Sequence, residues 1–150
     1  MRAFSAALTA SVAAGMLVFT GNPAHAEDQL DLKNWMLACE SGNNFKFELH
    51  YNSDNKGAWR DFGYAVANFD SVYSGQGYKP LVFCDNGAGG LQKVKNNAAS
   101  AHNRHTSYGA CVYYNSWFNG AKDALQPAVP APVSRNLVNT YNQNASFQWC

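Results

Sequence analysis

The sequence predicts an all-β domain, an antiparallel sandwich of two Greek keys stapled by disulfides. Three observations carry that reading. Short runs of aromatic and β-branched residues alternate with turn-rich pieces, the pattern of sandwiches and barrels. One loop is spelled twice, "YNSDNKGA" at residues 51–58 and "YNSWFNGA" at residues 114–121, 63 positions apart. Four cysteines, Cys39, Cys84, Cys111 and Cys150, all follow an export-type leader, and an even count in that setting reads as a disulfide framework.

The leader comes first. Arg2 supplies a positive start, Ala6–Thr20 is uncharged and apolar, "GNP" interrupts it, and "AHA" puts small residues where a signal peptidase reads. Residues 1–26 are therefore expected to be a secretory signal peptide cleaved before Glu27, and the protein to be extracellular. The apolar run falls short of the ~20 residues a membrane span needs. The remaining 124 residues make one domain with one core. Without Arg2, ten basic side chains face ten acidic ones. A nucleic-acid or anionic-membrane partner needs a basic face, so neither is expected. A monomer is.

Residues 27–44 form an N-terminal arm whose "EDQLDLKNWM" fits a helix or an extended segment. The two repeats occupy residues 45–150. "FKFELHY" alternates apolar and polar residues as a half-buried strand does. "KPLVFC", "ACVYYN" and "NTYNQNASFQWC" supply further strands. "PAVPAP" at residues 127–132 is a stiff connection that cannot lie in a central strand.

Each copy of the loop turns through a glycine, Gly57 or Gly120, at a place that calls for positive φ. Each has a later companion: "NNAASA" at 96–101 and "NQNASF" at 142–147 both open on Asn and carry Ala-Ser at the fourth and fifth places. The unit is a strand, a YNSxxxGA hairpin, further strands and an Asn-to-Ser turn, written twice. The cysteine count leaves three pairings open. One disulfide per repeat gives Cys39–Cys84 and Cys111–Cys150, each bracketing a Greek key and each worth ~3–4 kcal/mol by loop closure. With no C-x-x-C pair, a zinc site is disfavoured.

The hairpin "VYYNSWFNG" resembles the βγ-crystallin signature, with Tyr113, Phe118 and Gly120 in its places. In the first copy Tyr51 and Gly57 remain, while His50 and Asn55 stand where aromatics are expected. "NNAAS" resembles that superfamily's calcium loop, with Ala101 in place of the final Ser. "VKNNAASAHN" followed by "VYYNSWFNGAKD" resembles small secreted actinobacterial proteins of peptidase inhibitor family 36, of metalloproteinase-inhibitor type. The resemblance covers roughly Phe45–Trp149. It implies a βγ-crystallin-like sandwich and inhibition of a secreted metalloprotease.

The chain has no HExxH, G-x-S-x-G or P-loop motif, and no enzyme is expected. His102 and His105 read as solvated loop residues, and "GAGG" at residues 87–90 as a turn. Calcium could draw on Asn96, Asn97, Ser100, Asn142 and Ser146. Without carboxylates these are weak ligands for a hard cation, and turn capping is the favoured role. No cofactor is required. Candidate contact loops are Asn115–Gly120, Tyr73–Pro80 and Asp85–Gly90. Trp117 and Phe118 are the candidate protease contacts, because a thermolysin-like protease prefers bulky apolar residues. The alternative function is a binding module of the same fold for glycan, cell wall or calcium.

Overall fold

The computed structural model describes residues 23–150. Residues 1–22 of the expected signal peptide (residues 1–26) lie outside them, and the expected cleavage position before Glu27 falls within the helix that opens the described chain. That helix, α1, runs Pro23–Leu37 and is followed by nine strands: β1 (Phe47–Asn52), β2 (Lys56–Phe62), β3 (Val72–Tyr73), β4 (Tyr78–Lys79), β5 (Ser100–Asn103), β6 (Ala110–Asn115), β7 (Asn119–Leu125), β8 (Val133–Asn136) and β9 (Ser146–Trp149).

Two antiparallel sheets face each other. One has the order β2-β1-β5-β8 and the other β7-β6-β9, extended by a bridge from Val66 to Phe147. In each repeat the first two strands form the hairpin and the fourth returns beside the first. The third strand crosses to the other repeat's sheet: β8, from repeat two, pairs with β5, and Val66, from repeat one, pairs with β9. The repeats are thus intertwined in one βγ-crystallin-like sandwich of two Greek keys. β3 and β4 make a separate small hairpin against α1.

Phe47 and Leu49 of β1 point between the sheets, with Phe62, Val66, Phe69, Leu81, Phe83, Val112, Leu125 and Phe147. Phe47 and Phe147, one from each sheet, stack with centroids 4.3 Å apart. Each fully buried large side chain contributes roughly 1.5–3 kcal/mol.

Three expectations are corrected. "KPLVFC" is not a strand. Pro80 ends β4, and the rest is irregular apart from one bridge, Val82 to Lys93. β1 is not half-buried either, since its outward residues Glu48 and His50 are 8% and 5% exposed. They are covered by Asp61, His102 and Arg104, whose guanidinium pairs with both Glu48 and Asp61. Finally, Cys39–Cys84 and Cys111–Cys150 are the disulfides, with Cα atoms 5.5 and 5.9 Å apart, but only the second ties first strand to last. Cys39 lies just beyond α1, so the first bond fastens that helix to repeat one.

The arm is helical, without an apolar stripe, and buried polar groups seat it. Asn34 accepts from the Gly63 and Tyr64 N–H groups and donates to the Tyr64 carbonyl. The Arg60 guanidinium donates to the Asn34 and Trp35 carbonyls at the helix's last turn, where a cation also meets the negative end of the helix dipole. Among the described residues no helix is long and apolar enough to cross a membrane.

Candidate functional site

The two hairpins share one backbone design. Their tips put two successive residues at positive φ, Asp54 (59°) and Asn55 (54°) in the first, Trp117 (62°) and Phe118 (58°) in the second, before Gly57 (74°) and Gly120 (82°). Both have a register shift just before the tip, between His50 and Asn52 or between Tyr113 and Asn115. The Asn of each YNS triplet lies over its glycine. A Cβ on Gly57 would meet the Asn52 amide at 2.9 Å, and one on Gly120 the Asn115 amide at 2.8 Å.

A buried serine latches each tip. Ser100 Oγ donates to the Asn52 carbonyl (2.6 Å) and accepts from the Asn55 N–H (3.0 Å). Ser146 Oγ donates to the Asn115 carbonyl (2.7 Å) and accepts from the Phe118 N–H (3.1 Å). This is why the loop and the Asn-to-Ser turn recur together. The turns also bond each other across the sandwich: the Asn96 N–H donates to the Asn144 carbonyl (2.8 Å), and the Asn142 N–H to the Ala98 carbonyl (3.0 Å). Asn97 donates to the Lys93 carbonyl (2.9 Å) and closes its own turn. The two serine hydroxyls are buried, and each spends its proton and one lone pair on its latch, which is turn capping. Asn144, in the sequon "NAS", is fully buried, with its amide bonded to Ala98 and Thr140.

The tips differ in what they present. Asp54 and Asn55 are spent on the neighbouring strand: the Asp54 N–H and carboxylate bond the Asn136 amide, and the Asn55 amide donates to Ser134 Oγ. In the second tip the Trp117 N–H donates to the Ala67 carbonyl (2.6 Å), and Phe118 packs edge-on against Tyr113, half-buried. The Trp117 side chain is 68% exposed. Positive φ is tolerated by Asp and Asn but strained for bulky aromatics. Of the two candidate contacts, Trp117 is the free one and Phe118 is hairpin packing.

The other candidate loops separate. Asp85–Gly90 lies along the edge of β2, where the Ala88 carbonyl accepts from the Ala58 N–H and Asn86 Oδ1 from the Trp59 N–H. It closes a sheet edge that would otherwise be open to pairing. Tyr73–Pro80 reaches Trp117. Tyr78 and Trp117 line a cleft of about 220 Å³ together with Glu27, Asp28 and Asp31 of α1, where the Tyr78 hydroxyl donates to Asp28 Oδ1 (2.7 Å). Burial, then the nearby Glu27 and Asp28 charges, push the Asp31 carboxyl up to about 6, against a bond from the Tyr73 N–H. No local pattern marks this cleft, because its lining comes from segments about 40–90 positions apart.

The histidines do not form a metal pair. His105 Nδ1 accepts from the Ser107 and Tyr108 N–H groups, whereas His102 faces Glu48. His50 Nε2 lies 3.1 Å from Glu48 Oε2 but without hydrogen-bond alignment. Its burial, only partly offset by Asp61, holds its pKa down to about 4.

No protein-family model and no curated protein matches the chain. Among solved structures it is similar to one described as "Evolution of the eye lens beta-gamma-crystallin domain fold", at 14% identity over 74% of this chain and 92% of that one, with a TM-score of 0.48. The strand order and pairings of this chain are those of two antiparallel Greek keys that exchange their third strands.

Proposed function

We propose that the protein is a secreted inhibitor of proteases, of the metalloprotease type, that acts by docking the Trp117 hairpin on its target. The observation that carries the reading is Trp117 itself: a large exposed aromatic held at positive φ on a tip fixed by Ser146. An exposed aromatic on a fixed tip is suited to anchor a partner. Cys111–Cys150 staples β6, which leads into this hairpin, to the chain's end. A tip fixed in this way loses little freedom on docking, so more of its contact energy appears as affinity. Inhibition is by occupancy, with no bond made or broken and no cofactor. The resemblance to peptidase inhibitor family 36 supports the target class.

The test is a titration of the protein against metallo-, serine and cysteine proteases. Stoichiometric, reversible inhibition of a metalloprotease is expected. If none of the three classes is inhibited at micromolar concentration, the inhibitor reading fails and a glycan- or surface-binding module of the same fold replaces it.

A further inference from the structure

We propose that the uncovered outer edge of β7, beside Tyr114, receives a glycine-bearing loop of the protein partner. This rests on the reading of the second hairpin as the contact and names what the partner lays along it.

Repeat one fills the same place with its own chain. Residues 82–93 form a loop closed at its base by the Val82–Lys93 bridge and by the Leu91 N–H on the Phe83 carbonyl (3.1 Å). This loop lies along β2. Its Ala88 carbonyl accepts from the Ala58 N–H (2.8 Å), and its Asn86 Oδ1 from the Trp59 N–H (3.1 Å). Phe83 meets the Tyr51 ring edge-on, with centroids 5.8 Å apart. Two glycines permit the close approach. A Cβ on Gly87 would lie 3.2 Å from the Ala58 nitrogen, and one on Gly89 would lie 2.2 Å from the Tyr51 ring. Under this cover Ala58 is fully buried.

Repeat two keeps the receiving surface. The doubled YNSxxxGA loop puts Tyr114, Gly120 and Ala121 where Tyr51, Gly57 and Ala58 stand, and β7 pairs with β6 in the register that β2 keeps on β1. The Ala121 and Lys122 N–H groups therefore face outward as those of Ala58 and Trp59 do. Only residues 137–145 join β8 to β9, and they raise no loop like 82–93. Among the described residues no group outside the hairpin accepts from either N–H. Ala121 is exposed, and Tyr114 is 43% exposed. The nearest atoms to a Cβ on Gly120 belong to its own hairpin, whereas one on Gly57 would meet the Ala88 carbonyl oxygen at 2.9 Å. The Lys122 carbonyl is taken by the Asn139 amide (2.9 Å), as the Trp59 carbonyl is by the Cys84 N–H (3.0 Å). Two N–H donors are what this edge still offers. Such an edge is a template for another chain's carbonyl oxygens, and repeat one shows the kind of segment that fits. A cation is unsuited to a site that offers only donors.

The experiment follows the Ala121 and Lys122 amides by NMR, with Ala58 as the internal reference. The probes are thermolysin and a head-to-tail cyclic peptide of residues 82–93 carrying Cys84→Ser. In the free protein both amides should exchange with solvent at least tenfold faster than Ala58. The peptide should shift them saturably, and its Gly89→Val form should bind about tenfold more weakly. Tyr114→Ala in the protein should weaken the parent peptide to a similar degree. Thermolysin should slow the exchange of both amides at least tenfold. Amides as slow as Ala58 in the free protein would overturn the proposal, as would equal shifts from the two peptides or none from either. Inhibition of thermolysin that leaves both amides unprotected would remove the edge and leave the inhibitor reading standing. A glycine-dependent peptide response with no protease inhibited would do the reverse.

Discussion

The two hairpins have the same backbone and opposite chemistry. The first puts Asp54 and Asn55 at positive φ, where short polar side chains are at ease, and binds both to β8. The second puts Trp117 and Phe118 there and leaves Trp117 in solvent. The serine latch is identical in kind at both. The difference is one of backbone cost: positive φ is easy for Asp and Asn and strained for Trp and Phe, and residues under such strain gather at functional sites.

Glycine substitution should separate the tips most. Gly57→Ala introduces strain at positive φ and drives Cβ to 2.9 Å from the Ala88 carbonyl oxygen, which is backbone and cannot swing away. Gly120→Ala meets mainly the Asn115 side chain, which can. The first should cost ~3 kcal/mol and the second ~1–2 kcal/mol, measured by urea unfolding. Equal costs would mean that the Asp85–Gly90 segment yields freely.

Acid should act on repeat one. The position matching His50 in repeat two is Tyr113, which carries no imidazole. The pKa of His50 is depressed, so unfolded chains take up its proton at a pH where the folded protein does not. Its contribution is complete above 6.5 and lost as pH falls from 6.5 to about 4. Asp31 and Asp61 have raised pKa values and act in the opposite sense in acid. The comparison is therefore with His50→Gln, whose stability should fall less over this window, by ~2–3 kcal/mol. Parallel pH profiles for the two proteins would contradict the assignment.

The latches should prove equal. Ser100→Ala and Ser146→Ala each leave one carbonyl and one N–H without a partner, and each should cost ~2 kcal/mol. A latch worth much less at Ser146 would mean that Trp117 is not rigidly held. Calcium should do least. With both serines engaged, millimolar Ca²⁺ should leave Tm nearly unchanged, and a rise of many degrees would show real sites through linkage.

Much of this was legible in the sequence because it is local. The doubled loop, its glycines and the Asn-to-Ser turns mark the hairpins and latches, and the cysteines fall one pair to a repeat. The crossing of the third strands was not legible: Val66 makes a single bridge, and "VSRN" of β8 has no apolar alternation. Nor was the seating of α1, which depends on the buried polar residues Asn34 and Arg60 rather than on an apolar stripe. "KPLVFC" read as a strand because its apolar residues are core, yet they reach the core from an irregular segment. Within the site, Trp117 could be picked out as the tip, but Asp31 and Tyr78 join it only through tertiary contact.

The most direct test is the inhibition constant of Trp117→Asn against the most strongly inhibited metalloprotease, alongside its unfolding free energy. Asn accepts positive φ, so the variant should be as stable as the parent or more stable by ~0.5–1 kcal/mol, while losing ~2 kcal/mol or more of binding. A stable variant that inhibits as tightly as the parent would contradict the claim that this hairpin is the contact.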